Sequence, residues 1–196
     1  MILSGDPQIP MADTIFVDLP GKYLPPRPAE SLVEVLPQRV IDAIANADSV
    51  ESVLLCPLWE YSGRPRCEQQ TYNRLLDPYG IRARGGYITA SQKEELFSIL
   101  LDPESYLVYQ TPGEKGSCLC INEIAFLFTL VGNLPHRIER TAVVFSCCCA
   151  SIVVRNYHNS ITLDMTGASE RLVNLSRAMY PEDSLLAEDC ERSYNR

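Results

Sequence analysis

Four cysteines at alternate positions, Cys118-x-Cys120 and Cys147-x-Cys149, are the residues of this chain best suited to chemistry. Such a group can hold zinc, close a disulfide, or pack as small hydrophobes. Spacing separates these uses. Structural zinc takes Cys-x2–4-Cys on a tight knuckle, and alternate residues on a flat strand splay too rigidly for an easy tetrahedron. A hairpin centred between Asn133 and Leu134 sets Cys120 opposite Cys147 and Cys118 opposite Cys149. All four then share a face with Ile124, Phe126, Val143 and Phe145, while Cys148 points away. The expectation is a buried, reduced, metal-free cluster, with zinc or a cross-strand disulfide as the alternatives. Eight cysteines in a chain of 196 residues that is 46% hydrophobic do not call for disulfide staples. Six or more are expected as packed thiols.

Nucleophilic catalysis needs a thiolate or alkoxide with a base in reach. His136 falls in the expected hairpin link and His158 in the next turn. A meander puts successive turns at opposite ends of its sheet, so neither reaches Cys147 in mid-strand. Glu94 and Glu95 belong to a helix surface, and Asp102 and Asp164 to turns or a strand edge. Phosphate-loop, dinucleotide, HExxH, GxSxG and EF-hand signatures are all missing. No cofactor is expected, and the chain is read as non-catalytic. Arg82 and Arg84 before Gly85-Gly86 offer a cradle for an anion as the alternative site. Trp59, Tyr61, Arg64, Arg66, Tyr72 and Tyr79 are the preferred binding residues, because aromatics and arginine anchor protein interfaces.

The elements that would position these groups follow from period and punctuation. Residues 1–37 hold half of the fourteen prolines: Pro7, Pro10, Pro20, Pro25, Pro26, Pro28 and Pro37. Proline fixes φ and lacks a donor, so this stretch is an arm packed on the domain. Met11 offers a second start. After Pro37, QRVIDAIANA fits a helix with Val40, Ile41 and Ile44 on one stripe. A strand runs through Val53–Cys56. Residues 57–88 read as irregular, with two helical turns between Glu68 and Leu76. TASQKEELFSILL is the clearest helix, capped by Ser91 with Glu94. Asp102-Pro103 caps a short turn carrying Tyr106.

From there the period is two. CLCINEIAFLFTL, TAVVFSCCCASIVV and SITLDM form a three-strand antiparallel meander over about 119–163. ASERLVNLSRAMY closes the domain as a helix ended by Pro181, and 182–196 are an acidic tail. The fold class is α+β, with an antiparallel sheet packed against helices and one domain over 38–181.

Residues from about Glu94 to Glu182 resemble a loose group of uncharacterised small bacterial proteins. LLDPESY at 100–106 matches the leucine-rich helix end followed by Asp/Ser-x-x-Ser-Tyr. Asn122-Glu123-Ile124-Ala125-Phe126-Leu127-Phe128 matches the next strand, Phe145-Ser146-Cys147 the Phe-x-Cys strand, and Met179-Tyr180-Pro181 the closing helix. The chain departs from that pattern by lacking a Pro-Asp pair before its strand and by its run of three cysteines. The resemblance implies an α+β fold and a bacterial source, and no activity.

Twenty-five acids against seventeen bases give a formal charge of −8, and no Lys/Arg block offsets it. Nucleic acid and anionic membrane surfaces are therefore excluded as partners. The start, MILSGDPQIPMADTIF, lacks a basic n-region and meets Asp6 and Pro7 before an apolar run forms, so the expected location is cytoplasmic. Another protein is the expected partner. An acidic chain of this size suits an inhibitor or antitoxin-like role against a basic surface. The alternative is a small enzyme or small-anion-binding protein with a pocket between residues 57–88 and the sheet.

Overall fold

The computed structural model describes residues 25–57, 75–76, 79–109, 123–132, 138–146, 150–157 and 159–183. Eight strands form one antiparallel sheet. In chain order they are β1 (Arg27–Pro28), β2 (Ser49–Pro57), β3 (Tyr79–Tyr87), β4 (Leu107–Val108), β5 (Glu123–Val131), β6 (Ile138–Ser146), β7 (Ser151–Arg155) and β8 (Ser160–Asp164). Across the sheet they run β1-β4-β8-β7-β6-β5-β2-β3. The helices are α1 (Leu32–Val35), α2 (Gln38–Ala45), α3 (Ala90–Leu100) and α4 (Ser169–Met179). The α+β class with helices against an antiparallel sheet is what the sequence patterns predict.

Helix positions follow the apolar stripes. In α2, Val40, Ala43 and Ile44 are buried; in α3, Leu96, Ile99 and Leu100; in α4, Leu172, Val173 and Leu175. The α2 and α3 sets recur at three- and four-residue spacing, Leu172 and Leu175 of α4 at three, and all face the sheet. There they meet Val50 and Leu54 of β2, Ile124, Phe126 and Phe128 of β5, and Val143 and Phe145 of β6. Met179 packs at the margin of this core. Tyr106 is fully buried, and its hydroxyl donates to the Leu100 carbonyl at 2.7 Å. That bond satisfies a C-terminal carbonyl of α3 and fixes the following turn. Ala29 and Leu36 also join this core.

A second apolar cluster covers the opposite face: Val53 and Leu55 of β2, Ile81 of β3, Ala125 and Leu127 of β5, Ala142 and Val144 of β6, with Leu75 and Leu76. Period-two alternation predicts one buried face, yet VLL, AFLF and AVVF are apolar on both sides of the pleat. On that face the Arg155 guanidinium lies 5.5 Å from the Tyr79 ring. β7 and β3 are four steps apart, about 19 Å on a flat sheet. Their contact shows a sheet coiled so that this face is concave.

Four local features differ from the sequence expectations. TAVVFSCCCASIVV is not one strand but two, β6 and β7, so β5–β8 form a four-strand meander. Ala150 turns the chain between them with φ 46°, a left-handed conformation that alanine rarely takes. The β5–β6 register is Ile124↔Phe145 and Phe126↔Val143, two residues from the expected pairing. A shift of two keeps each side chain on its face and changes its partner. Residues 79–87, expected to be irregular, form edge strand β3 with two breaks in register against β2. The α3 cap is Thr89 with Gln92, a reciprocal capping box, rather than Ser91 with Glu94. Among the described residues, no helix is long and apolar enough to cross a membrane.

Candidate functional site

Of the six preferred interface residues, Trp59, Tyr61, Arg64, Arg66 and Tyr72 lie outside the described residues, as do Cys118, Cys120, Cys147 and Cys149. Tyr79 is placed on the concave face, packed against the second cluster beneath Arg155. Cys56, buried near the end of β2, is disulfide-bonded. The other seven cysteines lie outside the described residues.

The anion-cradle residues all belong to β3. Arg82 reaches the Asp183 carboxylate at 3.1 Å with only 7% of its side chain exposed, and Arg84 reaches Glu51 at 3.5 Å. Gly85 lies under the end of α4, where a Cβ would collide with the Ser52 and Tyr180 hydroxyls. The Tyr180 hydroxyl donates to Ser52 at 3.0 Å. Burial raises the Tyr180 pKa, while the Ser52 and Gly85 hydrogen bonds pull against that rise. Gly86 has φ 73° and open space around it. The four residues therefore belong to an edge strand, each arginine against a carboxylate, rather than to a loop.

The described residues converge elsewhere. β6 has nine residues and β7 five, and their ladder begins only at Ala142↔Arg155. The chain turns back at Asn156–Asn159, held by the Asn156 side-chain oxygen accepting from the Asn159 N–H at 2.9 Å. Beside the uncovered start of β6 lies a cavity of about 400 Å³. Ile138, Glu139, Arg140 and Thr141 line one side, Asn156 and Tyr157 another, and Arg39 and Ala43 of α2 the third. Ala43 is small, which leaves room where a larger residue would fill the gap. Ile138 and Tyr157 are 54% and 60% exposed, and Val131, paired with Ile138, is 59% exposed. The Arg140 guanidinium has no carboxylate partner among the described residues.

Chemically this notch offers two guanidinium groups, one carboxylate, an amide, a buried hydroxyl and an exposed phenol. That set suits recognition: it can hydrogen-bond, pair a charge and cover apolar surface. Among the described residues no three of His, Cys, Asp and Glu are grouped to hold a metal. The links after β5 and β7 leave from the same end of the sheet, the notch end, because β6–β7 is an extra hairpin. This corrects the expectation that the links carrying His136 and His158 lie at opposite ends. Sequence inspection missed Arg39, Ile138, Arg140, Asn156 and Tyr157. The available signal was the turn NYHN closing a strand much shorter than its neighbour, with a tyrosine at its tip. No family model, curated protein or solved structure matches this chain.

Proposed function

We propose that this protein is non-catalytic and works by binding another protein through the sheet end that carries Val131, Ile138 and Tyr157. One observation carries the reading. Of the five large apolar side chains exposed on the described residues, these three gather at one end of the sheet, two of them lining the notch. Exposed apolar groups gathered beside a cavity and rimmed by charge are the usual composition of a recognition surface. The finer form of the reading is a bacterial, cytoplasmic protein that inhibits a basic partner in the manner of an antitoxin. The charge of −8 supports it, since opposite potential speeds encounter. The small-anion alternative built on residues 57–88 ranks second, because Arg82 and Arg84 each face a carboxylate.

Affinity capture with the full chain tests the binding reading. Parent, Ile138→Asp, Tyr157→Ala and, as a control on α1, Val33→Asp are compared as baits. The parent and the control retain the same partner, and the two sheet-end variants lose it by at least tenfold. Equal retention by all four, or turnover of a metabolite by the purified chain, contradicts the proposal.

A further inference from the structure

The chain enters the sheet through Pro25-Pro26-Arg27-Pro28, whose last two residues are β1. Proline fixes φ, and a residue that precedes proline is pushed to extended backbone. Pro25 and Arg27 both precede one, so local chemistry alone extends the segment. On a strand, exposure alternates with a period of two. Here Pro25 and Pro28 are exposed, while Pro26 and Arg27 between them are half-buried. A spacing of three is that of polyproline II, in which every third residue stands on one ridge. From this spacing we infer that Pro25 and Pro28 are a docking ridge for a protein partner whose groove is lined with aromatic rings. The ridge goes beyond binding at the notch and lies on another strand, at one edge of the sheet.

The segment is held ready for docking. Arg27 donates to both oxygens of the Glu34 carboxylate, and its Nη1 donates to the Pro28 carbonyl at 3.0 Å. Beyond Pro28, the Ala29 N–H donates to the Tyr106 carbonyl at 2.9 Å, and β1 pairs with β4 at Arg27↔Val108 and Pro28↔Leu107. A segment fixed in its bound shape loses little freedom on docking. Prolines present apolar rings and carbonyl acceptors without an N–H. Tryptophan and tyrosine complement them with a flat ring and a polar hydrogen to donate. Charge sets the rim of the contact. Arg27 stands against two carboxylates, Glu34 and Glu30, and the Glu30 side chain is 82% exposed. The partner's groove therefore carries a basic residue at its Pro28 end. Proline on an edge strand also blocks unwanted pairing. That role is indifferent to which prolines face outward, and this difference makes the ridge testable.

The probe is an array of purified polyproline-binding domains, WW domains among them, overlaid with the full chain. Titration calorimetry follows for any domain that retains it. At least one domain retains the parent above a blank surface. Pro25→Ala and Pro28→Ala each weaken that binding by about tenfold or more, and Pro26→Ala by less than about threefold. Glu30→Lys weakens it by about threefold or more. Ile138→Asp at the sheet end binds as the parent does, which separates the ridge from the notch. Melting temperatures accompany every variant; if Pro28→Ala loses its fold, Pro25→Ala, outside β1, decides. The inference is overturned if no domain retains the chain, or if Pro25→Ala binds as tightly as the parent. Equal weakening by Pro26→Ala and Pro25→Ala, or loss of binding in Ile138→Asp, overturns it too. Unchanged binding by Glu30→Lys overturns the basic rim.

Discussion

Gly85 shows how a single absent side chain can hold a helix to a sheet edge. The Tyr180 ring at the end of α4 rests where a Cβ would stand, and its hydroxyl bonds Ser52 of β2. Gly85→Ala is therefore expected to cost about 1–3 kcal/mol, as overpacking of a filled site does, and denaturant unfolding measures it. Tyr106 and Tyr180 supply a pH prediction. Burial raises both phenols above their ordinary value, so folding favours the neutral form. The stability this contributes is complete below the unfolded-state pKa of about 10 and is lost as pH rises toward the folded values. Urea midpoints should hold steady from pH 7 to 9 and then fall. Tyr106→Phe should lower stability by about 1 kcal/mol at neutral pH through the lost bond to Leu100, and flatten the alkaline decline. An equally steep decline in that variant would show that the Tyr106 phenol does not drive it.

Helices were legible at the scale of elements because of their stripes: Val40 and Ile44 are buried as named, while Ile41 and Met179 are half-buried at the margin of the core. The meander was legible in kind and wrong in number. A hairpin normally announces itself with Asn, Asp or Gly, and the sequence between β6 and β7 contains none of them. The strain falls on Ala150, so Ala150→Gly is expected to leave stability unchanged or raise it by about 1 kcal/mol. Calorimetry checks this, and clear destabilisation would deny the left-handed turn. β3 was hidden for a related reason. Gly80, Gly85 and Gly86 with two arginines have little strand character of their own, and pairing with β2 imposes the conformation. At α3, Thr89 and Gln92 cap reciprocally, and Thr89→Ala should cost about 1 kcal/mol. The notch was illegible for want of one length: that of β7, which no local pattern encodes.

On the whole-molecule scale, one coiled sheet carries an apolar cluster on each face, and among the described residues it is uncovered at one end. Its disulfide at Cys56 bounds the redox state: at least two of the eight cysteines are oxidised, leaving at most six thiols. Thiol titration of the denatured chain without reductant should find six or fewer, and eight after reduction. If Cys118, Cys120, Cys147 and Cys149 are thiols as their spacing predicts, peptide mapping should pair Cys56 with Cys67, Cys148 or Cys190. Bridged proteins are commoner in oxidising compartments, which makes the same titration on freshly lysed source cells a check on cytoplasmic placement. The most direct measurement of function is the hydrogen-exchange footprint of the full chain with and without its captured partner. Added protection is predicted at the start of β6, at Asn156–Tyr157 and along α2, with α3 and α4 unchanged. Protection centred on α3 and α4, or none at the sheet end, would contradict binding at the notch.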